Sequence, residues 1–313
     1  MSVSEFVSYR NRLVDACSNV IVGKQQEITL VAVCYLCGGH ILLEDVPGTG
    51  KTMLFRAFSK ACGGSFKRIQ FTPDVMPSDV TGIHFYNMKT GDFEFRPGPV
   101  FADLVLADEI NRATPRTQSS LLEAMAERQV SIDGETRKLG EAFMVAATQN
   151  PIESYGTFPL PEAQMDRFMM RLKLGYMQRD EEIGVALRRD AGELIEQMQP
   201  VVSAEETLRL REKLDSIEIS EPVIGYLMDI VEKTRNDVRF RIGASARGTI
   251  ALVKASRAYA AFQGRAYVTP DDVKLLAPFV LAHRLYYRTA VGSSESEALF
   301  AEMLDTVPVP TEA

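Results

Sequence analysis

Gly50, Lys51 and Thr52 close the stretch ILLEDVPGTGKTML, Ile41 to Leu54, in the order a triphosphate-binding loop requires. Glycines in such a loop let backbone N–H groups turn toward the β- and γ-phosphates, and the helix that follows adds its positive end. Gly48 and Gly50 occupy the tight part, Pro47 fixes the approach, and Thr49 and Met53 complete the candidate ATP-binding set. Lys51 is placed to reach the β- and γ-phosphates, and Thr52 to hold Mg²⁺ through its hydroxyl. One residue is out of pattern: G-x-x-x-x-G-K-[ST] asks for glycine where this chain has Asp45. A carboxylate beside a triphosphate should repel it. Asp45 is nevertheless the motif position farthest from Lys51, and an L-residue serves there if the turn does not need a positive φ. Its side chain would then cap the turn or face away from the phosphates. The bland alternative is a plain strand-to-helix turn.

Two further strands end in groups that suit phosphoryl chemistry. LVLADEI is four apolar residues, Leu104 to Ala107, delivering Asp108 and Glu109. Carboxyl ends of parallel strands are where α/β sheets bind ligands. Asp108 is a candidate for the Mg²⁺ shell, and Glu109 for the general base that polarises the attacking water. Acid pairs are common on surfaces, so their meaning comes from the phosphate loop upstream. MVAATQN ends in Asn150, placed either to fix the lytic water or a γ-phosphate oxygen, or to serve as a turn residue before Pro151.

The elements that must position these groups alternate. HILLED, FKRIQF, DLVLADE, AFMVAATQ and FMMRLKL are short apolar runs of strand length, and KTMLFRAFSKAC after the first has helical periodicity. The alternation predicts a parallel sheet covered on both faces, with right-handed crossovers. Two stretches, GIHFYNMKTGDFEFRPG and RQVSIDGETRKL, read as inserted hairpins, the second through its Asp133-Gly134 turn. Past about Leu174 the strand signals stop. Ser203 with Glu206, Ser220 with Pro222, and Thr269 with Pro270 and Asp272 each open a helix, and SARGTIALVKASRAYAAF is a fourth that stops at Gly264. The second half is expected to be a small all-helical domain, joined to the first between Gly175 and Pro200.

Composition narrows the functional classes. With 46% apolar and 25% charged residues over 313 positions, the chain is globular and long enough for two cores. A formal net charge of -7 argues against broad binding to nucleic acid or anionic lipid. No apolar run is long enough to span a membrane, and the N-terminus has no secretion pattern, so a cytoplasmic protein is expected. Four cysteines fit that compartment; Cys34 and Cys37 form a C-x-x-C, but on a helix, inside an apolar run and with no second pair, which favours core packing over zinc. The three histidines, His40, His84 and His283, are scattered, which argues against a histidine metal site or triad.

The succession LLEDVPGTGKT, VLADEINRATPRTQSSLLEAMAERQV, VAATQNPIESYGTFPLPEAQMDRFMMRL and GASARGTIALVKASRAYA resembles the MoxR family of AAA+ ATPases, from about Val20 to Arg284. An Asp at the Asp45 position is familiar in that family. The resemblance implies an α/β AAA+ P-loop core with a five-stranded parallel sheet in the order 5-1-4-3-2, over residues 1–180, then a linker over 181–200 and a C-terminal all-helical lid over 201–313. It matches the two hairpins to the helix-2 and pre-sensor-1 inserts of the clade that includes magnesium chelatase and the replicative MCM helicases. It assigns Val22 and Gly23, in IVGKQ, to the segment that holds adenine, Arg167 to an arginine finger reaching a neighbour's γ-phosphate, and Arg247 to sensor 2 on the lid. Gln70 is a candidate restraint on Glu109. Ala246 departs from the proline common in relatives, which touches nothing catalytic.

From residue type alone, Arg167 could instead pair with Asp166 or Glu162, and Arg247 could be a solvated residue at a helix start. Arg112 and Arg116 fit a subunit interface or a helix face equally, and Phe85, Phe93 and Phe95 fit either packing or a protruding grip on a partner. The resemblance further implies a homo-oligomeric ring, a hexamer, that uses ATP and Mg²⁺ to remodel a protein client, with von Willebrand A-type domain proteins as the class indicated. The alternatives are a motor on nucleic acid, or a nucleotide switch with negligible turnover.

Overall fold

The computed structural model of the chain describes residues 3–46, 48–150, 156–187, 191–289 and 291–310. Two helices, α1 (Ser4–Ser18) and α2 (Gln25–Leu36), precede the first strand, β1 (Ile41–Glu44). Helix α3 (Lys51–Ala61) and strand β2 (Phe66–Gln70) follow, then α4 (Pro77–Thr81) and the hairpin β3 (Gly82–Asn87) and β4 (Asp92–Pro97). Strand β5 (Leu104–Asp108) leads to α5 (Pro115–Glu127), the hairpin β6 (Gln129–Ile132) and β7 (Glu135–Lys138), and then β8 (Met144–Gln149). Helix α6 (Glu162–Met165) and strand β9 (Met170–Leu172) close the first half. The second half contains α7 (Arg179–Leu187), α8 (Ala191–Gln197), α9 (Ala204–Lys213), α10 (Glu221–Asn236), α11 (Ala246–Phe262), α12 (Pro270–Leu281) and α13 (Ser293–Asp305).

Five strands form one parallel sheet in the order β2-β5-β8-β1-β9. Counting only these five along the chain, the order is 5-1-4-3-2, as the resemblance implied. β5 and β8 are buried on both faces almost throughout, which is why they read as continuous apolar runs rather than alternating ones. β2 lies at the edge, where only Ile69 is buried and Lys67, Arg68 and Gln70 are exposed.

Both hairpins are present as separate two-stranded units. Asp133 and Gly134 turn the second with φ of 50° and 84°, the left-handed pair that a two-residue hairpin loop needs. The two inserts are clasped together: His84 bonds to Asp133 at 2.8 Å, and the Arg137 guanidinium lies 4.1 Å from the centre of the Phe95 ring. Phe95 also packs on Phe101. Phe93, by contrast, is 73% exposed on the outer part of the first hairpin, edge-on to Tyr86.

The second half is helical with one addition that the sequence did not signal. Strand β10 (Phe240–Ile242) pairs antiparallel with β11 (Tyr286–Tyr287), and the Phe240 and Tyr287 rings lie 4.9 Å apart. The span read as a linker carries α7 and α8, and α8 packs on α3 through Ile195 and Ala57. The helix starts follow their caps. Ser203 accepts from the Glu206 N–H, Ser245 accepts from the Gly248 N–H, and Thr269 and Asp272 form a reciprocal box. One apolar cluster runs without a break from α1, α2 and the sheet into α10, α11 and α12. A buried arginine, Arg284, reinforces this junction by donating to Asp166 Oδ1 at 2.6 Å and to the Phe168 carbonyl.

The cysteines and histidines behave as packing groups. All four cysteines are free thiols, and burial pushes the Cys34 and Cys37 thiols up. His40 is held in one tautomer, its Nε2–H donating to the Met125 carbonyl while Nδ1 accepts from the Val145 N–H. Among the described residues no helix is long and apolar enough to cross a membrane. Burial lowers the His40 pKa from its ordinary 6.5 to about 4. The unfolded chain takes up that proton below 6.5 while the folded chain refuses it until about 4, so this stability is full above 6.5 and is lost as pH falls through the window. Between pH 7 and pH 5, His40 should cost the fold about 2 kcal/mol. Urea unfolding of wild type and His40→Gln at both pH values checks this, with the smaller pH loss expected in the variant.

Candidate active site

The phosphate loop leaves β1 at Glu44 and opens α3 at Lys51. Gly48 and Gly50 have φ of 85° and 88°, and a Cβ built on either would touch nothing within 4 Å. The left-handed backbone at both positions favours glycine. Thr49 is buried and its hydroxyl donates to the Val46 carbonyl, while Pro47 lies outside the described residues. Lys51 Nζ donates to the carbonyls of Asp45 at 3.0 Å and Val46 at 2.7 Å. Burial lowers its pKa, and the carboxylates of Asp45, Asp108 and Glu109 pull the other way.

Asp45 explains itself. Among the described residues outside glycine, positive φ occurs at Glu109, Arg128 and Asp133, so this position makes no demand for glycine. Its carboxylate is spent on backbone N–H groups, although the residue lines one cavity with both glycines. Oδ1 accepts from the Val46 N–H at 2.8 Å, and Oδ2 accepts from the N–H groups of Leu174 at 2.8 Å and Gly175 at 2.7 Å. Lys24, also buried, grips the same segment from its carbonyl side by donating to Leu174 and Tyr176. The chain leaving β9 is thus held by one carboxylate and one ammonium.

Asp108 and Glu109 reach the same cavity, of about 400 Å³, as Gly48, Gly50, Lys51, Thr52, Met53 and Asn150. Asp108 Oδ1 accepts from the Thr148 hydroxyl at 2.6 Å, and the same oxygen of Thr148 accepts from the Glu109 N–H at 2.9 Å. Glu109 sits at φ 57°, a left-handed conformation that costs an L-residue about 1 kcal/mol or more and turns its side chain out of the strand. Its carboxylate is held from two sides: Gln70 Nε2 donates to Oε2 at 2.9 Å, and Arg112 Nε lies 3.2 Å from the same oxygen. Gln70 therefore bonds Glu109 directly, and Arg112 is a neighbour of Glu109 within one chain. Arg116 is exposed on the first turn of α5. The Thr52 hydroxyl and Asp108 carboxylate are hard oxygen donors of the kind Mg²⁺ takes, and two are too few to hold it without phosphate oxygens and water.

Four of the expected residues lie elsewhere. Val22 and Gly23 do not line this cavity; the Glu181 carboxylate of α7 lies against Gly23. Arg167 and Arg247 are also away from it. Arg167 donates to the Leu122 carbonyl, so neither ion pair considered for it from sequence is its partner. Arg247 lies 3.4 Å from the carboxylate of Asp166, beside Arg167 in sequence, and Asp166 also accepts from Ser245 and Arg284. The two arginines thus have different partners, Leu122 for Arg167 and Asp166 for Arg247. Sequence reasoning missed Arg68, Thr148 and Gln149, which line the cavity. Alternation along a strand puts Arg68 on the same side as Gln70, so this signal was available.

Comparison with known proteins agrees with the geometry. A family model described as "ATPase family associated with various cellular activities (AAA)" matches residues 40–170, and one described as "AAA lid domain" matches residues 232–302. The chain is 46% identical over 303 residues to YeaC of Bacillus subtilis, an uncharacterised protein, covering 96% of this chain and 95% of that one. It is 40% identical to Chaperone MoxR1 of Mycobacterium tuberculosis over 93% of this chain and 80% of the relative. It is 32% identical to Protein MoxR of Paracoccus denitrificans over 94% of each. A crystal structure of a Cytophaga hutchinsonii protein to which ATPase activity is ascribed superposes with a TM-score of 0.88, at 36% identity and 98% coverage of both chains.

Restoring the glycine of the general motif should damage this loop. Asp45→Gly leaves the N–H groups of Val46, Leu174 and Gly175 without their acceptor, at an expected loss of about 2 kcal/mol of stability. Asp45→Asn, which keeps one acceptor oxygen, should lose less. Urea unfolding measures both, and a glycine variant as stable as wild type would refute the role.

Proposed function

Because the chain belongs to the MoxR family of AAA+ ATPases, we propose that it hydrolyses ATP at sites shared between adjacent copies in a ring, and uses the cycle to remodel a protein client. The observation that carries this reading is the division of the charged groups. Lys51, Thr52, Asp108, Glu109 and Asn150 line one cavity, while Arg167 and Arg247 do not line it and bond to Leu122 and Asp166 instead. Lys51 would leave the loop carbonyls for the β- and γ-phosphates. Thr52 and Asp108 would hold Mg²⁺, which supplies charge neutralisation at the phosphates. Glu109, released from Gln70 and Arg112, would take the proton of the attacking water, and Asn150 would fix that water or a γ-phosphate oxygen. Arg167 would reach the γ-phosphate of the next subunit, with Arg247 beside it. Val22 and Gly23 would border the adenine.

A hexamer, a cytoplasmic setting and a client carrying a von Willebrand A-type domain complete the reading. The name Chaperone MoxR1, borne by a relative, supports a protein client.

Steady-state ATP hydrolysis against protein concentration tests the shared site. The specific rate should rise with concentration. Glu109→Gln should lower it by about 10²-fold or more, and Arg167→Ala by about 10³-fold. Mixing the two variants should restore part of the rate, because an intact Glu109 and an intact Arg167 then meet at some interfaces. A rate independent of concentration and of Arg167 would overturn the shared site.

A further inference from the structure

Strand β2 contributes two side chains to the cavity from the edge of the sheet, Arg68 and Gln70. Arg68 spends two donors on a single oxygen of Asp108, Nε at 3.0 Å and Nη2 at 2.7 Å from Oδ2. Since Oδ1 already accepts from Thr148, both oxygens of the acid are engaged. The same Nη2 donates to Gln70 Oε1 at 2.6 Å, and Gln70 in turn donates to Glu109. Arg68, Asp108, Thr148, Glu109 and Gln70 therefore close a ring of hydrogen bonds around the two acids.

We propose that Arg68 is a positioning residue that competes with Mg²⁺ for Asp108, and so sets how strongly nucleotide binding depends on the metal. The inference rests on reading the cavity as a nucleotide site. A divalent cation arriving at Asp108 meets a guanidinium already seated on the available oxygen, and two cations repel at that range. Arg68 is the partner able to yield. Its side chain is 47% exposed on an edge strand, whereas Asp108 is nearly buried and Thr148 fully so. Its departure also takes the donor from Gln70 Oε1, which frees the amide that holds Glu109. Metal arrival and release of the general base are thereby linked through one side chain.

Calorimetric titration of the full-length protein with ADP, in EDTA and in saturating Mg²⁺, reads the metal's contribution as the ratio of the two Kd values. In Arg68→Gln this ratio should grow about five- to tenfold, the scale of one half-exposed ion pair. Arg68→Lys should fall between, since one ammonium cannot reproduce the two-pronged contact to Asp108 together with Gln70. An unchanged ratio, with ADP still bound, would reduce Arg68 to a cross-strand ion pair and overturn the inference. A smaller ratio would overturn the inference, as would a ratio raised only by weaker binding in EDTA with binding in Mg²⁺ unchanged, which would make Arg68 a ligand of the phosphates. Failure of wild type to bind ADP under either condition would remove the nucleotide-site reading and the inference with it.

Discussion

The carboxylate of Asp45 is the constraint on which the site depends. It stands where the sheet hands over to the phosphate loop, and it spends its acceptors on backbone N–H groups of Val46, Leu174 and Gly175. Hydrogen bonds to an ionised acceptor are about twice as strong as neutral ones. The Asp45 carbonyl receives Lys51 as well, so one residue contacts both the phosphate-reaching lysine and the chain leaving β9. The Leu174–Gly175 segment that it holds lies just ahead of α7. Lys24, on the carbonyl side of that segment, makes the attachment two-sided.

The acids of β5 are organised by a different rule. Two carboxylates on adjacent residues would repel, and the sheet separates their surroundings rather than their sequence positions. Asp108 continues the strand and meets Thr148 and Arg68. Glu109 is turned by its left-handed backbone toward Gln70 and Arg112. Cross-strand neighbours set the register of these contacts, with Gln70 directly opposite Asp108. Buried parallel strands thus supply rigidity, and the edge strand supplies the side chains that can move.

What the sequence disclosed follows from the range of the interactions. The phosphate loop, the strand ending in Asp108 and Glu109, the Asp133-Gly134 hairpin and the helix starts at Ser203, Ser220 and Thr269 are local, so a few adjacent residues specify each, although Ser220 opens its helix without a side-chain cap bond. The strand order was legible only through resemblance to a family. Arg68 went unnoticed because its meaning depends on Asp108 forty residues away, and a lone arginine on a strand looks like a solvated charge. The β10–β11 ribbon was missed for a related reason: three residues pairing with two, across most of the lid, carry no periodicity to detect. Asp45 was readable as a residue that caps the turn, which its bond from the Val46 N–H bears out, but its partners at Leu174 and Gly175 were not. Arg167 was read as a finger or a surface ion pair, and the bond it makes within its own chain, to the Leu122 carbonyl, was not foreseen.

Helix α1 has a consequence for how the protein comes to be folded. Its inner face, with Phe6, Tyr9 and Leu13 fully buried, closes over α2 and α3 but also over α11, where Tyr9 stacks on Phe262, and the Tyr9 hydroxyl bonds to Thr207 of α9. A chain made from its N-terminus presents that face long before its distal partners exist. Helix α1 is completed only once α9 and α11 have been made. Until the residues near 262 are available, the apolar stripe of α1 lacks part of its cover, and transiently exposed apolar surface of this kind is prone to aggregate.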